Sequence, residues 1–192
     1  MEQKMAQART LSEDEIKMVL NYCRARRHCV RDRTILQLSF LAGLRVIEIA
    51  GLKIADVYED TGKVRDSFVL AAEQTKGGFE RRVFVGRKLN KALADYYPVI
   101  RKRKPETPLF QTQIGGAFSA NTMCQLFLNI YSAAGLKGAS SHSGRRTFIT
   151  KLANSGVNVR VLAALAGHRS IVTTQRYIDV NEVQLARAVE LV

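Results

Sequence analysis

Apolar positions along this chain recur mostly at helical spacing, with one interruption in the middle. Ser12 followed by Glu15 has the form of a capping box, and Ile16, Val19 and Leu20 supply an apolar stripe behind it, so a helix is predicted to about Cys23. Residues 1–10 are polar and are expected to fray as a flexible N-terminus. Residues 34–44 are apolar nearly all round, as in a helix buried at the centre of a domain, and Gly43 ends that helix or tightens a turn. Helical spacing resumes over residues 45–52, with Val46, Ile49 and Ala50 facing inward.

The period then changes. Residues 67–72 and 81–85 are rich in Val, Phe and Leu and read as strands. Lys76-Gly77-Gly78 between them has turn chemistry, which predicts a hairpin, and residues 56–66 are a candidate third strand. Helical spacing returns over residues 88–100. The run Arg101-Lys102-Arg103-Lys104 then enters a loop marked by Pro105 and Pro108, and Gly115-Gly116 marks another. Further helices are predicted at 119–134, 143–154, 158–166, 170–178 and about 181–190. The expected fold is mainly α with a small antiparallel β-sheet, of the α+β class, with residues 11–192 forming a single domain.

Composition adds one strong constraint. Thirty Lys and Arg against seventeen Asp and Glu give a formal net charge of +13, an excess that calls for a polyanionic partner. No apolar run approaches the roughly 20 residues of a membrane-spanning helix, and the segment after Met1 lacks the apolar stretch of a signal peptide, so nucleic acid is favoured over a membrane surface. Cys23, Cys29 and Cys124 are odd in number and unrelated in spacing, which fits reduced thiols in a cytoplasmic protein better than a disulfide framework. His28, His142 and His168 are too scattered for a metal site.

The candidate chemistry is concentrated near the C-terminus. His142 and Arg145 stand three apart in Ser141-His142-Ser143-Gly144-Arg145-Arg146, a spacing that puts both on one helical face. Gly167-His168-Arg169-Ser170 and Thr173-Thr174-Gln175-Arg176-Tyr177 follow. Imidazoles, guanidiniums and a phenol together suit an oxyanion such as a phosphodiester. Arginine binds such a group through paired hydrogen bonds that lysine does not reproduce. A tyrosine hydroxyl ordinarily ionises near pH 10, about three units above neutrality, so a phenol nucleophile needs cationic neighbours or a base.

These segments, with Ala42-Gly43-Leu44-Arg45-Val46-Ile47-Glu48-Ile49 upstream, resemble the boxes of the tyrosine recombinase (phage integrase) family over residues 11–190. The resemblance implies a catalytic set of Arg45, Lys76, His142, Arg145, His168 and Tyr177, with Glu48 in support. It implies that Tyr177 attacks a DNA phosphodiester to give a 3′-phosphotyrosyl link and a free 5′-hydroxyl, that Lys76 protonates the leaving oxygen, and that His142 helps to deprotonate Tyr177. No cofactor or metal is expected. Lys63 and Arg82 are fallbacks for Lys76. Gly144 departs from the family, which often has a larger apolar residue there, and Arg146 stands where histidine is common.

The expected partner is double-stranded DNA, with a homotetramer assembled on it and the 181–190 helix docking on a neighbouring protomer. Arg24, Arg26, Arg27, Arg31, Arg33, Arg101, Lys102, Arg103 and Lys104 are candidate phosphate contacts. About ten residues precede the catalytic region, where most family members carry a second helical domain. The Met1 start favours a complete small protein over an isolated fragment. Alternative readings are a catalytically silent DNA-binding accessory module and a type IB topoisomerase-like enzyme.

Overall fold

The computed structural model describes residues 8–75, 77–177 and 189–190. Lys76 and nearly all of the expected 181–190 helix lie outside the described residues, as do residues 1–7. Helix α1 (Glu13–Tyr22) opens on the predicted capping box: the Glu15 backbone N–H donates to Ser12 Oγ at 3.1 Å, and the Ser12 N–H donates to Glu15 Oε2 at 2.9 Å. Residues 9 and 11 are tied to the domain. Arg9 donates to the Lys137 carbonyl at 2.8 Å and pairs with Glu15, and the Leu11 N–H donates to Thr147 Oγ1 at 2.8 Å.

Helix α2 (Cys29–Ala42) is the central element, with Ile35, Leu36 and Leu38 fully buried. It begins five residues earlier than its apolar run, inside the arginine-rich segment, and Asp32 is the reason. This carboxylate is fully buried and accepts from Arg26 at 2.7 Å and Arg31 at 2.8 Å, which offsets the cost of taking a charge out of water. Arg31 also donates to the Gln111 carbonyl at 2.8 Å and lies over the Phe118 ring. Gly43 closes α2 in the left-handed region at φ 63°, a conformation that glycine adopts without steric penalty.

Helices α3 (Val46–Gly51) and α4 (Ile54–Val57) follow. The expected third strand does not form: within residues 56–66 the only pairing is an isolated bridge between Tyr58 and Val64, after α4 has turned the chain. Among the described residues the sheet is the predicted hairpin alone, β1 (Ser67–Leu70) antiparallel to β2 (Arg81–Phe84), with Ser67 opposite Phe84 and Leu70 opposite Arg81. Then come α5 (Arg87–Ile100), α6 (Ala120–Ala133), α7 (Ser143–Asn154), α8 (Val159–Ala166) and α9 (Ile171–Gln175). The mainly α architecture with a small antiparallel sheet matches the expectation from sequence.

Helices α5 and α7 both pack on α2. The α2–α7 approach explains Gly144. A Cβ there would stand 2.5 Å from Ser39 Oγ and 2.7 Å from Phe40 Cδ1, so only hydrogen fits. Gly144→Ala is therefore expected to destabilise the fold by about 1–3 kcal/mol through overpacking. Urea unfolding measures this, and an unchanged midpoint would show that the two helices separate at no cost.

Candidate active site

The chain segments that carry the candidate residues meet at the ends of helices. Arg45 is the N-cap of α3, just after the turn at Gly43. Its guanidinium donates to Glu48 Oε1 at 2.8 Å, and its backbone N–H donates to Glu48 Oε2 at 2.8 Å. Glu48 is fully buried, while 22% of the Arg45 side chain remains exposed. A buried carboxylate thus orients a cation whose side chain is still partly exposed.

Arg145 lies in the first turn of α7 and is 4% exposed. It donates through Nη1 to the Gly43 carbonyl at 2.6 Å and through Nη2 to the Ala166 carbonyl. The same Nη2 stands 3.0 Å from His168 Nε2. Arginine only donates, so Nε2 is the acceptor and the imidazole proton is assigned to Nδ1, which faces Thr174 Oγ1 at 2.9 Å. Burial, and then the positive charge of Arg45, pull the Arg145 guanidinium down to about 9, which leaves it a cation at neutral pH.

His168 follows Gly167, the left-handed cap of α8 at φ 63°. Its ring stacks on that of Tyr177, with centroids 5.8 Å apart and planes 23° apart. The guanidinium of Arg146 sits 5.4 Å from the Tyr177 ring centre on α7's side of the site. Tyr177 is half-buried. His142 caps the N-terminus of α7 and is exposed. Burial, then the charges of Arg145, Arg45 and Arg81, lower the His168 pKa to about 4. The unfolded chain therefore takes up this proton first as pH falls. Folded-state stability contributed by the neutral ring is complete above about pH 6.5 and declines from there toward pH 4. Thermal unfolding of the wild type should lose more ground between pH 6.5 and 4.5 than that of His168→Gln; parallel pH profiles would remove the imidazole as the source.

Sequence reasoning missed Arg81. It enters the site from β2, is 9% exposed, and donates to Glu48 Oε2 at 3.0 Å and to the Leu165 carbonyl at 2.6 Å. Arg45, Glu48, Arg81 and His168 line one side of a cavity of about 800 Å³. Arg169, beside His168, lies over the Phe79 ring at 3.9 Å and ties the α8–α9 turn to the hairpin. Of the fallbacks for Lys76, Arg82 is exposed and bonded to Ser67 Oγ, and Lys63 faces Glu59. Among the described residues, no group of three or more His, Cys, Asp or Glu side chains is placed to hold a metal ion.

Comparison with known sequences decides the family. The profile of the phage integrase family matches residues 9–184. The chain belongs to the phage integrase family.

Two relatives illustrate the match. The chain is 32% identical over 183 residues to tyrosine recombinase XerC of Syntrophus aciditrophicus, covering 89% of this chain and 56% of that protein. It is 30% identical over 186 residues to tyrosine recombinase XerA of Pyrococcus furiosus, covering 95% and 61%. The chain spans about half the length of the curated relatives it matches. Among solved structures, the XerA recombinase superposes with a TM-score of 0.77 at 25% identity, over 95% of this chain and 64% of that one. A post-cleavage complex of the XerH site-specific recombinase with palindromic difH substrate shares the fold, with a TM-score of 0.71 at 21% identity, over 94% and 51%. The integrase-family fold brings Arg45, Glu48, Arg145, His168 and Tyr177 to one place.

The expected phosphate contacts divide. Arg24, Arg27, Arg101, Lys102 and Lys104 are exposed, and Arg33 is half-buried. Arg26 and Arg31 are instead committed to Asp32, and Arg103 donates to the Pro108 and Leu109 carbonyls at 3.2 and 2.8 Å. Those three make bonds within the protein's own packing. Their guanidiniums satisfy a buried carboxylate and loop carbonyls that would otherwise lack partners.

Proposed function

We propose that this chain is a site-specific DNA recombinase that cleaves and rejoins strands through a 3′-phosphotyrosyl intermediate at Tyr177. The observation that carries this reading is the stack of a half-buried Tyr177 on His168, whose other edge is held by Arg145. The names of the relatives, tyrosine recombinases in each case, support it.

In this reading Arg45 and Arg145 donate to the non-bridging oxygens of the scissile phosphate, where negative charge builds in the transition state. Contacts among the described residues use three of the five N–H donors of Arg145. The Tyr177 oxygen forms a bond to phosphorus as the bond to the DNA 5′-oxygen breaks. The phenolic proton passes toward His142, and Lys76 protonates the departing 5′-oxygen. The phosphate ester retains the bond energy, so religation by a 5′-hydroxyl needs no nucleotide cofactor. Charge neutralisation comes from the guanidiniums, without a metal ion.

Double-stranded DNA is the partner, gripped by the exposed cations through its phosphates, and four protomers assemble on two duplexes to exchange strands. The setting is the cytoplasm, on the nucleoid. Among the described residues no helix is long and apolar enough to cross a membrane. The test uses a nicked duplex recovered from a randomised pool by incubation with the chain. A protein–DNA adduct that survives denaturation, with the nucleotide mapped by mass spectrometry to the peptide containing Tyr177, is the expected result. An adduct on another residue, or none, rejects the reading.

A further inference from the structure

We propose that Arg81 is a positioning residue for strand cleavage: it shares Glu48 with Arg45 so that Arg45 keeps its positive charge for the phosphate, and it pins the turn that delivers His168. This inference rests on the strand-cleavage reading above.

The first part is electrostatic. Glu48 is fully buried and carries one negative charge. It accepts from Arg45 at 2.8 Å and from Arg81 at 3.0 Å. The trio Arg45, Glu48 and Arg81 therefore carries a net charge of +1. Without Arg81 the buried carboxylate acts on Arg45 alone, the pair sums to zero, and the cation facing solvent is neutralised where an anion must bind. Burial keeps screening low on two of the three groups, since the Glu48 side chain is fully buried and only 7% of the Arg81 side chain is exposed.

The second part is geometric. The last carbonyls of a helix have no partner within it, and cations are favoured there. At the C-terminus of α8, Leu165 gives its carbonyl to Arg81 and Ala166 gives its carbonyl to Arg145. Two guanidiniums, one from the hairpin and one from α7, thus grip consecutive residues just ahead of His168. Gly167 fits between them because it has no side chain: a Cβ would lie 2.5 Å from Arg81 Cδ. Arg81 is the residue that joins the Arg45 end of the site to the His168 end, since it alone among the described residues bonds both Glu48 and the α8 terminus.

The test is a set of single-turnover cleavage rates on the nicked duplex, each expressed per folded molecule, with DNA affinity and thermal stability measured in parallel. Arg81→Gln should cut the rate on the order of 100-fold, as expected for loss of preorganised charge, while affinity changes much less. Adding Glu48→Gln to Arg81→Gln restores the net +1 on Arg45 and should recover on the order of tenfold, a coupling that marks interacting residues. Arg81→Lys keeps the charge without the fork and should fall between Arg81→Gln and wild type. A merely structural residue would lower stability in all three variants and leave the rate per folded molecule within about threefold of wild type, inside the usual scatter of additive effects. That result, or a double variant no faster than Arg81→Gln, overturns the inference. If Arg81→Gln does not fold, Arg81→Lys against wild type decides. A wild-type chain that forms no adduct overturns strand cleavage itself, and this inference with it.

Discussion

Tyr177→Phe is expected to abolish the covalent protein–DNA adduct while leaving DNA affinity and folding close to wild type. Phenylalanine keeps the ring that stacks on His168 and lies under Arg146, so the packing around position 177 survives. What disappears is the single oxygen able to attack phosphorus. Removal of an enzyme's nucleophile costs at least about a thousandfold in rate, so the adduct should fall below detection in a denaturing gel. Position 177 is half-buried, and a change that only removes a hydroxyl there should shift stability by no more than about 0.5 kcal/mol. An adduct formed by Tyr177→Phe at anything near the wild-type yield would rule out this tyrosine.

Arg145 should give the second large effect, and a different one in kind. Arg145→Ala removes a guanidinium that satisfies the Gly43 and Ala166 carbonyls and holds His168. Two buried acceptors without partners cost on the order of 1–3 kcal/mol each before relaxation, so a net loss of about 2–4 kcal/mol is expected in chemical unfolding. Cleavage should drop further than that instability explains, by about 100-fold or more per folded molecule, because a donor to the developing phosphate charge is gone. The two losses separate experimentally: the rate is measured where circular dichroism shows the variant folded. A variant that cleaves at the wild-type rate once folded would make Arg145 a clamp for the α8 terminus and nothing more. Arg145→Lys retains a charge but lacks the planar fork that reaches both carbonyls and His168, so it should recover part of the stability and little of the rate.

The candidate cluster was legible in sequence because its boxes resemble those of the family the chain belongs to. Arg81 escaped because it sits beside Arg82, and paired arginines on a strand read as a solvated edge. The signal was present in the alternation. In Arg81-Arg82-Val83-Phe84 the inward positions of the strand are Arg81 and Val83, and a charge on an inward position must find a partner. The internal partners of the arginine-rich segment stayed hidden for the converse reason. Counting cations overlooked the one carboxylate among them, Asp32, which is fully buried and draws Arg26 and Arg31 to itself. The absent third strand reflects length: α4 spans four residues, too few for helical periodicity to declare itself. Gly144 looked like a departure and proved to be a contact, because the distance between α2 and α7 is a property of two segments a hundred residues apart and no local pattern carries it.

The order in which this site is completed follows from where its bonds lie along the chain. Arg45 and Glu48 are neighbours in sequence, but their stabilising partner Arg81 arrives 33 residues after Glu48, and the carbonyls that hold Arg81 and Arg145 arrive only at positions 165 and 166. On the ribosome, most of the apolar interior has emerged before these last acceptors leave the exit tunnel. The bonds that tie the hairpin and α7 to the α8 terminus are therefore among the last that synthesis makes available, so the two ends of the site are joined only after most of the interior can already pack.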